Sequence, residues 1–381
     1  MQAPNILRSL FEPQLRRGAP DILDKCASEW LELCERSGDD LPFYRPEWVG
    51  AYLRAFEPKS TVLLATAHQG SHLSGVLPLV EESAFFCGFP VKKLRGAANI
   101  HSCRFDIVRA PAEEGQKAVR MIWESLKALS DWDLIELPYV PGGGGIELLL
   151  QMALQEGFPT SQEELYKSPY IPLIGVEDTS GIPGNSHFRQ NLHRRMRNAQ
   201  SRYGVRLIRV DRADPVALLR FYELERSGWK GASASAIACT QNTQRFYDEI
   251  ARSGTRYGYF VLYLLEFGDQ TVAGHFGMIH KGRYYCPKVS YDERYGVYGP
   301  GHLIVDAILS DLLRNNVGEF DFLGPWMDWK AQWAQQGRSH SRCYIFRPGL
   351  FGRTLRMARI KLRSTQRRIL GRPPAPASDC E

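Results

Sequence analysis

The sequence predicts an α+β fold of two tandem, related lobes, each a mixed, mostly antiparallel sheet flanked by helices. Three observations carry this. The chain has 381 residues, too long for one ordinary domain and comfortable for two. The order strand, strand, strand, helix, strand runs through the second half and is echoed in the first, which suits helices on both faces of a sheet. Between the halves, KSPYIPLIGVEDTSGIPGNSH at 167–187 is rich in Pro, Gly and Ser, the composition of a connector. The expected division is a first lobe over 1–167, a second lobe over 185–348, and a tail over 349–381. The tail is read as a basic amphipathic helix with a disordered end.

The elements follow in order. Residues 20–57 read as helical, with Pro46 at the start of a second helix in FYRPEWVGAYLRAF. TVLLATAHQGSHLSGVLPLVEE reads as two strands around a Gln-Gly-Ser turn. VRMIWESLKAL at 119–129 is an amphipathic helix, and DWDLIELPYV at 131–140 is a buried strand running into PGGGG. In the second half, ALLRFYELERSGW and TQRFYDEIARSG are helical. YFVLYLLEFGDQTVAGHFGMIHKGRYYCPKVSY reads as three antiparallel strands, HLIVDAILSDLLRNN as an apolar helix, and GEFDFLG as a short buried strand. The two hairpins parallel one another, as do the two helix–strand units that follow them, which indicates a long internal duplication.

Composition bounds the class. A hydrophobic fraction of 44% and a charged fraction of 24% are those of a soluble globular protein. The N-terminal stretch MQAPNILRSLFEPQLRRGAP does not read as a signal peptide, and no apolar run is long enough to span a bilayer. The expected location is the cytoplasm. None of the eight cysteines forms a C-x-x-C pair, so buried free thiols are expected, with no metal. The net charge is +6, but residues 351–372 hold seven Arg and one Lys without an acid; setting those eight aside leaves −2 for the rest.

The most informative stretch is YDERYGVYGPGHLIVDAILSDLL. A strand ends near Tyr291, a loop follows with Gly296, Gly299, Pro300 and Gly301, and a helix begins at His302. Glycines admit a ligand close to the backbone, and the first free N–H groups of a helix favour an anion such as a pyrophosphate. There is no G-K-[ST] and no G-x-G-x-x-G, so neither a nucleotide-hydrolysing loop nor a dinucleotide fold is indicated. An ordinary helix-initiating turn is the competing reading. FRQNLHRRMRNAQSRYG places Phe188, Leu192, Met196, Ala199 and Tyr203 on one helical face, with six arginines and no acid between residues 188 and 206. That helix either binds anionic groups or is solvated on its basic side.

Here the chain resembles the GNAT superfamily and, within it, the FemAB-like and CelD-like two-lobed bacterial acyltransferases. The resemblance rests on FRQNLHRRMRNAQSRYGVRL, LERSGWKG, RFYDEIA, TVAGHFGMIHKGRYYCPKVSYDERYGVYGPGHLI and EFDFLGPWMDWKAQW, across roughly residues 185–335. FYRPEWVGAYLRAF resembles that group's entry motif. The resemblance implies that the loop from Tyr298 through Gly299 to Gly301 holds the donor's pyrophosphate; His302, which opens the helix, either caps it, contacts the donor or takes part in catalysis. It also implies a splayed strand pair near Gly274–Met278, with Gly274, Phe276 and Gly277 along the pantetheine arm. Acyl-CoA is then a co-substrate, with no permanently bound cofactor. The first lobe has GAANIHSCRFDIV in place of the glycine turn, so one donor site, in the second lobe, is expected.

Acyl transfer to an amine needs a base for the ammonium proton and a donor for the oxyanion. His275 falls beside the expected thioester position, where it is either the base or a core histidine. Tyr291 is a candidate acid for the leaving thiolate. Asp292 beside it is a catalytic candidate or the maker of an Asx turn. The resemblance implies that Lys330 contacts acceptor or donor. Trp229, Asp321, Trp326 and Trp329 are candidate acceptor contacts. So are Asn99, His101 and Arg104 in the first lobe, where ANIHSCRFD is either a polar pocket or a satisfied turn.

The expected partners are acyl-CoA, an amine acceptor and, through 351–372, an inner-membrane surface; nucleic acid is not expected. The expected activity is N-acyl transfer to a lipid or envelope precursor. A sphingoid base, giving ceramide, is favoured over an amino sugar and over aminoacyl-tRNA-dependent transfer of the FemX kind.

Overall fold

A computed structural model of the chain describes residues 11–182, 186–227 and 236–370. Trp229 and the end of the tail lie outside the described residues. The chain divides into two compact units, Met1–Tyr166 with Ser339–Ala377, and Lys167–Arg338 with Ser378–Glu381.

The first unit begins with strand β1 (Phe11–Gly18) and helices α1 (Ala27–Arg36) and α2 (Pro46–Phe56). Strands β2 (Thr61–Gln69), β3 (His72–Phe86), β4 (Phe89–Gly96) and the short β5 (Val108–Arg109) follow. Then come α3 (Ala112–Ala128), β6 (Leu134–Pro141) and α4 (Gly145–Gln155). Strands β1 to β4 pair antiparallel in sequence order, and β4 and β6 pair in parallel. Every residue of β2 from Val62 to His68 is buried. A strand with both faces covered reads as a continuous apolar run, which is what VLLATA supplies. Ile122 and Trp123 of α3 and Leu149 of α4 close the core over Leu63, Leu77 and Leu137.

Residues 339–348, expected in the second lobe, belong to this first unit. They form most of β13 (Gln336–Phe346), which pairs antiparallel with β6. The reason is packing: Cys343 and Ile345 complete the first unit's core beside Leu137 and Ile135. The tail helix α10 (Leu350–Leu370) is also docked there. It buries Leu355 against Val91, Leu134 and Phe346, and the Arg359 guanidinium grips the Glu163 carboxylate at 2.9 and 2.8 Å.

The second unit runs from the end of β7 (Thr160–Pro172) through α5 (Ser186–Tyr203), β8 (Val205–Val210), α6 (Pro215–Ser227) and α7 (Gln241–Arg256). Strands β9 (Phe260–Phe267), β10 (Gln270–His280) and β11 (Arg283–Tyr291) follow, then α8 (Pro300–Arg314), β12 (Glu319–Asp321) and the single turn α9 (Asp328–Ala331). The strand order is β7-β12-β11-β10-β9-β8, antiparallel except for β11 with β12. All eight residues of β9 are buried. Leu192 and Ala199 of α5 join Leu303 and Ile308 of α8 in the main core, with Phe188, Met196 and Tyr203 packed beside them. Phe221 of α6 and Tyr247 of α7 cluster instead around Phe276. Among the described residues, no helix is long and apolar enough to cross a membrane.

Candidate active site

The site begins where two strands part. Strands β11 and β12 pair at three positions only, Arg283–Glu319, Tyr284–Phe320 and Tyr285–Asp321. Strand β12 then stops, because Asp321 Oδ1 accepts the Leu323 N–H at 2.9 Å and Leu323 and Gly324 turn at φ of 53° and 59°. Strand β11 runs on to Tyr291. The fork opens into a cleft of about 470 Å³, lined wholly by residues of the second unit.

A bulge shapes one wall. Phe276 pairs with Lys288 and Met278 with Tyr285, so Cys286 and Pro287 together oppose Gly277. An extra residue bends the strand and re-aims its side chains, and a proline without an N–H fits such a position. Cys286 and Pro287 both line the cleft.

The splayed pair expected at Gly274–Met278 lies between β11 and β12 instead. Strand β10 is bonded along both edges, to β9 and to β11. Its glycines admit protein neighbours: a Cβ at Gly274 would stand 2.6 Å from the Phe221 ring, and one at Gly277 2.5 Å from that of Tyr284. Phe276 is fully buried in its aromatic cluster. None of these three lines the cleft.

The glycine turn also lines the cleft, through Gly296, Gly299, Pro300 and Gly301. Gly299 has φ of 66° and caps α8, whose first turn holds no acidic residue and whose N-terminus receives no side-chain cap. Pro300 brings no N–H, so the helix's donors begin at Gly301. Arg195 of α5 leans over this turn, with Nη1 2.7 Å from where a Gly299 Cβ would stand. An uncapped helix start beside a guanidinium favours an anion. Tyr298 is set back, its hydroxyl 3.5 Å from Arg202 Nη1 and its ring against Tyr203.

Within the cleft, His275 Nδ1 lies 3.1 Å from Cys286 Sγ and 3.4 Å from the Tyr284 hydroxyl. Burial, with the adjacent Cys286 next, holds the Tyr284 phenol well above its ordinary range. His302 faces the same space, and its Nδ1 accepts from Trp333 Nε1 at 3.0 Å. Lys330 lines the cleft while its Nζ donates to the carbonyls of Leu323 at 2.8 Å and Pro325 at 3.1 Å. Tyr291 and Trp329 are wall residues.

Other candidates lie elsewhere. Asp292 caps the turn after β11 and is held by Arg294, which keeps its carboxyl below the usual range. Asp321 is fully buried, shaping the Leu323 turn and receiving Arg338 Nη1 at 3.3 Å. Trp326 packs against Gly337, outside the lining. Asn99, His101 and Arg104 belong to the first unit. There Asn99 Oδ1 accepts the His101 N–H at 2.9 Å, and the His101 ring stacks on Phe56 at 5.2 Å.

Arg195 and Cys286 are additions that the sequence reading did not single out. Pro287 inside a strand was the available signal for the bulge that turns Cys286 toward the cleft. Arg195 was one arginine among five on a basic helix, with nothing local to distinguish it.

Residues 186–331 match the acetyltransferase (GNAT) domain family. Comparison with curated proteins gives no match. Among solved structures, FemX superposes with a TM-score of 0.57 at 12% identity, covering 84% of this chain and 96% of that one. The C-terminal domain (DUF2156) assigned to a lysylphosphatidylglycerol synthetase from Agrobacterium fabrum gives 0.53 at 9% identity, covering 93% and 98%. A conserved protein of unknown function from Bacteroides thetaiotaomicron VPI-5482 gives 0.51 at 10% identity, covering 88% and 100%. At such identities these likenesses speak for the fold alone. The second unit of this chain matches an acetyltransferase (GNAT) domain over residues 186–331, and the protein is a transferase enzyme.

Proposed function

We propose that the protein moves an acyl group from acyl-CoA to the primary amine of a lipid or envelope precursor. The observation that carries this is the cleft at the β11–β12 fork, lined both by an uncapped, acid-free helix start with Arg195 and by His275 with Cys286. The helix start with Arg195 suits phosphates, and His275 with Cys286 suits a thioester. In this reading His275 takes the ammonium proton and Tyr291 protonates the leaving thiolate.

A sphingoid base, giving ceramide, is the preferred acceptor, with an amino sugar as the rival. The preference rests on the tail helix and its neighbourhood. Leu350 and Phe85 are 84% and 80% exposed, and Phe89 meets Phe351 edge-on at 6.2 Å, bringing the β3–β4 hairpin beside the helix start. Arg353 and Lys361 point outward, whereas Arg356, Arg359 and Arg363 are bound to β7. Exposed apolar side chains beside cations suit an anionic membrane surface. On this reading the enzyme works in the cytoplasm, against the inner membrane.

Transfer of an aminoacyl group from tRNA is the second reading, favoured by Arg195 in the cleft lining on a helix that carries five arginines and no acid. The test is a panel of acyl-CoA lengths, and separately aminoacyl-tRNA, against sphingoid bases and amino sugars, with products identified by mass. An N-acylated base from acyl-CoA is expected. Product from aminoacyl-tRNA alone would favour the second reading, and no product from any thioester would sink the first.

A further inference from the structure

We propose that the Cys286 thiol, assisted by the His275 imidazole, receives the acyl group from the donor and holds it as a thioester before the amine takes it. This rests on the acyl-transfer reading and adds a covalent step to it.

Three independent placements point to Cys286. It is the first β11 residue beyond the last pair shared with β12, so it stands at the apex of the fork. It lies in the two-residue bulge opposite Gly277, a device that turns a strand side chain out of its regular alternation. And its sulfur is 3.1 Å from His275 Nδ1, within hydrogen-bond reach of a base, with both residues lining the cleft. Nucleophile beside base, in a mostly buried pocket, is the arrangement that activates a thiol.

The chemistry balances without any further reactant. The thiol sulfur attacks the donor's thioester carbonyl while its proton passes to His275. The new C–S bond forms, the bond to the CoA sulfur breaks, and the proton leaves on the CoA thiol. The amine then attacks the Cys286 thioester. Its nitrogen gains the acyl group, and the cysteine sulfur leaves and recovers a proton through His275. One thioester replaces another in the first step, so little free energy is lost before the amide forms. Separating charge in a buried site is costly, so proton transfer and attack are expected to be concerted, with no resting thiolate.

The experiment uses the full chain, incubated with acetyl-CoA or palmitoyl-CoA without amine and quenched in acid. Intact mass is expected to show one acyl group per chain. Peptide mapping should place it on the peptide containing Cys286, and neutral hydroxylamine should release it. Adding the amine should discharge it at a rate no slower than turnover. C286A should take no label, and H275Q should label ~100-fold more slowly. Thermal melts and CoA binding of both variants check that they are folded. Transfer by C286A within ~3-fold of wild type, a label that the amine does not discharge, or turnover without any bound acyl group would each overturn the relay. Turnover without label leaves the acyl-transfer reading standing, whereas neither label nor product with any thioester removes both.

Discussion

The indole Nε1 of Trp333 donates to Nδ1 of His302 at 3.0 Å. An indole nitrogen only donates, so Nδ1 is the bare nitrogen and the ring's proton sits on Nε2. Burial, and then the charge of Arg195, pushes this imidazole down to about 4. His302 is thus neutral at ordinary pH. Its folded value lies below its unfolded value, so its contribution to stability is complete above roughly pH 6.5 and is lost as pH falls through about 4. Thermal melts across that window should show a shallower decline in H302Q than in wild type. Identical slopes would take His302 out of the acid response.

Gly299 and Arg195 should govern donor affinity and not chemistry. A Cβ at Gly299 meets Arg195 Nη1 at 2.7 Å, on a backbone at φ of 66°. G299A is expected to cost about 1 kcal/mol of stability and to raise KM for acyl-CoA ~10-fold with kcat little changed, as one lost ion contact would. R195A should do the same to KM. With an acyl-pantetheine donor, which lacks the nucleotide phosphates, R195A should match wild type. Equal damage with both donors would refute a phosphate role.

The strands of both units were legible because apolar runs such as FVLYLLEF and VLLATA demand two covered faces. The glycine turn was legible because φ of 66° at a helix start favours glycine. The fork was not. It depends on where β12 stops, and that follows from Asp321 folding back onto the Leu323 N–H, a contact with no sequence period. Cys286 was hidden for the same kind of reason, since a bulge shifts the alternation from which facing is read. The membership of 339–348 was missed because strand pairing with β6 joins segments about two hundred residues apart.

Lys330 is expected to be a support before it is a contact. Its Nζ fastens the Leu323 and Pro325 carbonyls, in the turn that follows β12. K330M leaves those carbonyls short of a charged donor, at a cost of about 2 kcal/mol. Melting should fall by several degrees, and kcat/KM measured well below the melt should drop less than ~10-fold. A loss of ~1000-fold with unchanged melting would instead make Lys330 a participant in the reaction.

One donor per chain is the final expectation, and it turns on helix starts. In the first unit, the first turn of α3 carries Glu113 and Glu114. The first amides of α4 are taken by Asp106, which accepts from Ile146 N at 2.7 Å and Gly145 N at 3.2 Å. Burial raises that carboxyl to about 7, and ionised or not it occupies the place an incoming phosphate would need. In the second unit the start of α8 holds no acid and faces Arg195. Carboxylates at a helix start use up the site that favours anions, and like charges repel what remains. Calorimetric titration with CoA should therefore give a stoichiometry near one, and R195E should abolish the whole binding heat. A stoichiometry near two in wild type with one remaining in R195E would mean that the first unit binds donor too.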